Sequence, residues 1–215
     1  MTQEQEIAFW DCISVFDSEG LLSLTMLIGS WAEYMYQYQY DWGYDIELQT
    51  RDADFLYPNL NRPGRKIPII EKLRAKGFIY NEDRMTGIGK FMKEDLLEIE
   101  FLVRILGEGS RMYETIPSIG IKAVGFRDMN VLSSHPMFVE RNGYVITVPE
   151  PEAYIVQKLL ANPDRSEGKQ EKDIQAIREL LKYIDKDKLH NIIDKLVKKQ
   201  QEKIKKVCKD NFIKI

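Results

Sequence analysis

Two short segments alternate acids with apolar residues and read as strands. Arg51-Asp52-Ala53-Asp54-Phe55-Leu56 and Leu97-Glu98-Ile99-Glu100-Phe101-Leu102-Val103 each set two carboxylates two residues apart. Residues i and i+2 of a strand point to one face. Each segment therefore carries an acid pair on one face and apolar side chains on the other. Paired carboxylates repel, and Asp is disfavoured in strands. A divalent cation such as Mg²⁺, which takes oxygen ligands and shares them with substrate phosphates, relieves such a pair. A solvated strand end that binds nothing is the plain alternative for Asp52 and Asp54. The Glu98–Glu100 alternation, taken alone, reads as a half-buried strand with a wet face.

The rest of the chain supplies the elements around these strands. Thr2 caps a first helix, with Gln5 three residues on, and Ile7, Trp10, Ile13 and Phe16 recur at helical spacing up to Gly20. Leu22 to Ile28 is a short β-capable run that stops at Gly29-Ser30, and Trp31 to Tyr40 reads as helix. Gly29-Ser30 thus marks a strand-to-helix turn, where free backbone N–H groups suit a phosphate; a simple cap is the bland reading. Ile67 to Ala75 is helical, and Gly77 closes that helix. Phe78 to Tyr80, Gly87 to Met92, Leu97 to Ile105 and Tyr144 to Val148 are expected strands, and Ile119 to Asn142 is mixed and sheet-associated. After Pro149 and Pro151 the chain is helical: Glu152 to Leu160, Glu171 to Ile184, and one long amphipathic helix over Asp187 to Lys209. The expected fold class is α+β: a small mixed sheet with flanking helices over residues 1–149, then a C-terminal helical region over 150–215.

Composition bounds the function. The 215 residues suffice for a sizeable core, and 44% hydrophobic with 30% charged residues is ordinary for a globular chain. The net charge of −3 gives no general bias toward nucleic acid or membrane. From Lys186 to Ile215, however, ten Lys stand against four acids, a basic tail on an acidic body. Two Cys and two His make neither a disulfide framework nor a Cys/His zinc site. No stretch approaches the ~18 apolar residues of a membrane span. The opening MTQEQEIAFWDC lacks a signal-peptide pattern, so a cytoplasmic location is expected. Trp31, Tyr34, Tyr36, Tyr38, Tyr40 and Trp42 invite base stacking, but packing explains them more simply. His135, His190 and Cys12 have no partner pattern.

The joint pattern resembles the nucleotidyltransferase superfamily of the polymerase-beta type. Its marks are Ile28-Gly29-Ser30-x-Ala32, then Thr50-Arg51-Asp52-Ala53-Asp54-Phe55-Leu56, then Glu98-Ile99-Glu100-Phe101-Leu102. More narrowly it looks like a bacterial branch with a Gly-Thr-x-Ala turn, an Arg-Asp-x-Asp strand and a later acid-Phe-Leu strand. Pro149-Glu150-Pro151-Glu152-Ala153-Tyr154, Lys158-Leu159, Arg165, Lys169, Lys172 and Asp173 resemble the helical part of that branch and of abortive-infection toxin nucleotidyltransferases. The likeness runs from about Leu27 to Leu181.

The resemblance implies transfer of a nucleoside monophosphate from a nucleoside triphosphate to RNA, protein or a small molecule. It implies that Gly29 and Ser30 hold the triphosphate, helped by Lys158. It implies that Asp52 and Asp54 bind two Mg²⁺ ions and that Glu100, preferred over Glu98 because Phe101-Leu102 follows it, completes the set. Arg51 offsets the acids' charge. A toxin acting on transfer RNA, with an antitoxin partner, is one version. The competing readings are an inactive binding module on the same fold and a nucleic-acid-binding protein acting through its basic tail.

Overall fold

The computed structural model describes residues 2–40, 50–105 and 112–215. Trp42 lies outside the described residues. The chain divides into two compact units, Met1–Val148 and Pro149–Ile215.

The first unit is built on a mixed sheet whose central strand is β5 (Leu97–Arg104). One edge of β5 pairs in parallel with β2 (Asp52–Tyr57), and β1 (Met26–Ile28) runs antiparallel outside β2. The other edge pairs first with β4 (Gly89–Lys93), beyond which lies β3 (Ile79–Glu82). Further along, the same edge pairs in parallel with β7 (Ile121–Phe126), which carries β6 (Tyr113–Ile116). No strand is expected from the sequence over Tyr113–Ile116; Glu114 and Thr115 are exposed, and its pairing with β7 makes it one.

The two faces of the sheet differ as the alternation requires. Ala53, Phe55, Ile99, Phe101 and Phe91 are buried on one face under α1 (Gln3–Ser18), whose Phe16 ring meets Phe55 at 4.7 Å and Phe101 at 5.7 Å. Thr2 caps α1 by accepting the Gln5 N–H at 3.1 Å. The helix is rotated from the expected stripe. Phe9, Cys12, Ile13 and Phe16 are buried, whereas Ile7 is exposed and Trp10 half-buried, because Phe9 stacks flat on Trp31 at 4.2 Å. The opposite face carries the acids at one end. At the other it holds an apolar cluster of Met26, Ile28, Leu56, Leu102, Met129 and Leu132, closed by the short helix α4 (Asn130–Ser133).

α2 (Gly29–Gln39) follows β1 directly and packs on the hairpin of β8 (Pro136–Arg141) and β9 (Tyr144–Pro149). Its aromatic run is packing: Trp31, Tyr34 and Tyr36 are buried, and the Arg141 guanidinium covers the Tyr38 ring. The run from Leu22 is only partly strand, since Leu22–Leu24 forms a 3₁₀ turn. α3 (Ile69–Arg74) is shorter than the expected helix from Ile67.

The second unit wraps α6 (Glu167–Leu180), α7 (Lys186–Asp194) and α8 (Lys198–Asp210) around α5 (Pro151–Ala161), which is buried from Pro151 to Leu160. The single helix expected over Asp187 to Lys209 is two helices. The step of eight from Leu196 to Ile204 falls about 80° off one stripe at 3.6 residues per turn, and the break restores the phase. The Gln201 amide closes the corner by donating to Asp194 O at 3.1 Å and Leu196 O at 2.9 Å.

Candidate active site

Strand register puts the four predicted acids in one block. Asp52 lies beside Glu98 and Asp54 beside Glu100 across the parallel β2–β5 pair. Neighbours across a parallel pair share a face, and adjacent strands lie ~4.8 Å apart, so all four carboxylates rise from the same face. Asp52 is exposed and its N–H is held by Thr50 Oγ1 at 3.1 Å. Asp54, Glu98 and Glu100 are half-buried.

The Gly29-Ser30 turn joins this block through β1, whose last residue, Ile28, sits opposite Asp54. Gly29 opens α2 with φ +69°, a left-handed conformation that glycine alone adopts without strain. A Cβ there would lie 3.0 Å from Asp54 Oδ2. Glycine therefore both turns the chain and lets it approach the carboxylate. Ile28 gives α2 no side-chain cap and Ser30 is exposed, so the first N–H groups of a three-turn helix open beside Asp54, with the partial positive charge of a helix start.

A residue absent from the sequence-based set completes the block. Lys90 on β4 lies opposite Glu100; its ammonium donates to Glu98 Oε1 at 2.7 Å and pairs with Glu100. Burial alone would lower its pKa, but the two carboxylates outweigh burial and hold it above the ordinary lysine value. Burial and the neighbouring Glu98 push the Glu100 carboxyl up against the opposing pull of Lys90. Burial works against Glu98 too, but there Lys90 prevails and holds the carboxyl below its usual range. The sequence signal for Lys90 is its place in the strand expected over Gly87 to Met92, and it cannot tell which strand lies alongside.

The two ends of the block lean apart. Asp54 lies against Gly29 on the β1 side, while Glu98 and Glu100 lean to Lys90 on the β4 side. Accordingly, among the described residues no three acidic, His or Cys side chains are gathered tightly enough to hold a metal ion as they stand. The donor set itself, carboxylate oxygens beside the first N–H groups of a helix, suits a divalent cation carrying phosphates.

The other predicted residues have local partners. Arg51 pairs with the exposed Asp95 at 2.8 Å, and its charge also helps lower Glu98. In the second unit Lys158 is buried, donates to Asp173 Oδ1 at 2.7 Å and lies over the Tyr154 ring at 4.8 Å. Arg165 Nε stands 3.3 Å from the other Asp173 oxygen, within ion-pair distance but without hydrogen-bond geometry. Lys169 and Lys172 are exposed. His135 Nδ1 meets Val131 O at 2.9 Å in a local contact, His190 is exposed, and Cys12 is a buried free thiol.

A sequence profile described as nucleotidyltransferase matches residues 9–202, most of the chain and the whole of this block. The chain belongs to this nucleotidyltransferase family. A search of curated proteins found no significant sequence match. Among solved structures, the nucleotidyltransferase is similar to ANT(2")-Ia, crystallised in complex with adenylyl-2"-tobramycin. The TM-score is 0.54 at 11% identity, with 89% of this chain and 95% of that one covered, which is a likeness of fold. A weaker likeness, TM-score 0.48 at 13% identity over 95% of this chain and 94% of the other, is to an antigenic nucleotidyltransferase-like protein from Paracoccidioides brasiliensis. No described helix is long and apolar enough to cross a membrane.

Proposed function

We propose that the protein transfers a nucleoside monophosphate from a nucleoside triphosphate to a hydroxyl of its acceptor. The observation that carries this reading is the register that sets Asp52 and Asp54 beside Glu98 and Glu100, next to the uncapped start of α2. In the proposed reaction the N–H groups of Gly29 and Ser30 and the Ser30 hydroxyl hold phosphate oxygens. Asp52, Asp54 and Glu100 would hold divalent cations, Mg²⁺ by their oxygen chemistry; when bound these neutralise charge on the triphosphate and on the departing pyrophosphate. The acceptor oxygen attacks the α-phosphorus, the bond to the β-phosphate oxygen breaks, and pyrophosphate leaves. The acceptor proton passes to a carboxylate of the block, for which Glu100, beside Asp54 across the strand pair, is placed. Lys158 we assign to the fold of the second unit, since Asp173 already engages its ammonium.

RNA, protein and small-molecule hydroxyls are all acceptors in scope. A cytoplasmic toxin acting on transfer RNA, held in check by an antitoxin, is the narrowest form of the proposal. Incubation with each α-labelled triphosphate, Mg²⁺ and a panel of total RNA, total protein and an aminoglycoside tests it. Label is expected to enter one acceptor class with the wild type and to be lost with Asp54→Ala, which keeps its fold. Equal labelling by Asp54→Ala would refute the assignment.

A further inference from the structure

Lys90 stands inside the acidic block, and transfer as set out above leaves it without a task. Its ammonium is 2.7 Å from Glu98 Oε1 and also contacts Glu100. β4 flanks β5 on the edge away from β2. The contact therefore draws both glutamates away from Asp52 and Asp54. On the far side, Asp54 Oδ2 lies against Gly29. The Lys90 ammonium thus sits on Glu100, a ligand that a divalent cation shared by Asp54 and Glu100 would need.

We infer that Lys90 is a positioning residue of the metal site. It holds Glu98 and Glu100 in the metal-free protein, and it cedes Glu100 while keeping Glu98 when a divalent cation binds. The inference rests on the metal-dependent reading above. Glu100 is the carboxylate that changes partner because it is the cross-strand neighbour of Asp54, the acid that lies against Gly29 at the start of α2. Lys90 already spans both glutamates, so ceding one requires a shift of its long, flexible stem and no movement of the sheet. Two consequences follow. The ammonium competes directly with the cation, and Glu98 influences binding through Lys90 rather than as a ligand.

Binding of Mn²⁺ alone to the full chain, followed by electron paramagnetic resonance, tests this without any turnover. Lys90→Met is expected to raise Mn²⁺ affinity about tenfold, as removal of a competing charge at contact distance should. Glu98→Gln is expected to lower affinity several-fold in the wild-type background, because Lys90 then rests on Glu100 alone, and to change nothing once Lys90 is Met. That pattern is an interaction term of a double-mutant cycle. Glu100→Gln should lose affinity in both backgrounds. Should Lys90→Met fail to fold because its two glutamates repel, Lys90→Met with Glu98→Gln removes the repulsion and is expected to bind more tightly than Glu98→Gln alone. Mn²⁺ that binds the wild type but no more tightly without Lys90, or a Glu98→Gln loss equal in both backgrounds, overturns the role of Lys90 and leaves the transfer reading standing. Absence of Mn²⁺ binding by the wild type and by both Lys90 variants overturns the two together.

Discussion

Gly29 meets two demands that no other residue meets together. Its φ of +69° is left-handed, and its α-carbon lies where a Cβ would approach Asp54 Oδ2 to 3.0 Å. Gly29→Ala is expected to cost about 1–3 kcal/mol in urea unfolding, the range for a strained backbone. It should also cut transfer sharply, since Asp54 must yield to the new methyl. Ser30, one residue on, is exposed. Ser30→Ala should leave stability within about 0.5 kcal/mol and raise KM for the triphosphate. An identical kinetic effect of the two substitutions, or none from Ser30→Ala, would remove the phosphate role from the hydroxyl.

Among the elements, α1 is tied to the sheet by charge as well as by its phenylalanines. Asp11 accepts from Lys93 of β4 at 2.8 Å and from Lys76, just beyond α3, at 3.1 Å. Burial would raise the Asp11 carboxyl, but the two ammonium groups outweigh it and hold its pKa below the ordinary carboxylate value. A lowered folded-state pKa stabilises above the unfolded value and is lost as pH falls through the folded one. The wild type should therefore exceed Asp11→Asn by about 0.5–1 kcal/mol near neutral pH, a partly exposed pair being worth no more. That margin should close below about pH 4. Chemical denaturation of both proteins from pH 7 to pH 3 reads it directly; a margin independent of pH would mean that the ion pairs contribute nothing.

At the scale of the molecule, both units are built on apolar cores, and the second also buries an ion pair, with Lys158 and Asp173 side chains 9% and 2% exposed. Removing one member of such a pair strands the other. Asp173→Ala should cost about 3–5 kcal/mol. Lys158→Met should cost less, because Asp173 keeps Arg165 at 3.3 Å. If Lys158 serves the fold alone, the folded Lys158→Met protein has the wild-type KM for the triphosphate; a raised KM would return it to the phosphates.

The sequence alone determined the elements whose signal is local. Alternation in Asp52–Leu56 and Leu97–Val103 marks strands because side chains in a strand change face at every residue. Thr2 caps α1, and Pro149 and Pro151 mark the passage from sheet to helix, because those effects act within a few residues. The acid pairs could be named for the same reason. Tertiary structure alone decided what stands beside them. Register across β4, β5 and β2 makes Asp54 the neighbour of Glu100 and brings Lys90 between the glutamates. Contact with Trp31 sets the rotation of α1, and pairing with β7 makes β6 a strand. The break between α7 and α8 comes from packing on α5, which selects a phase that a continuous helix of 3.6 residues per turn does not keep. Pairing joins residues remote in the chain, and local periodicity carries no record of which partner is chosen.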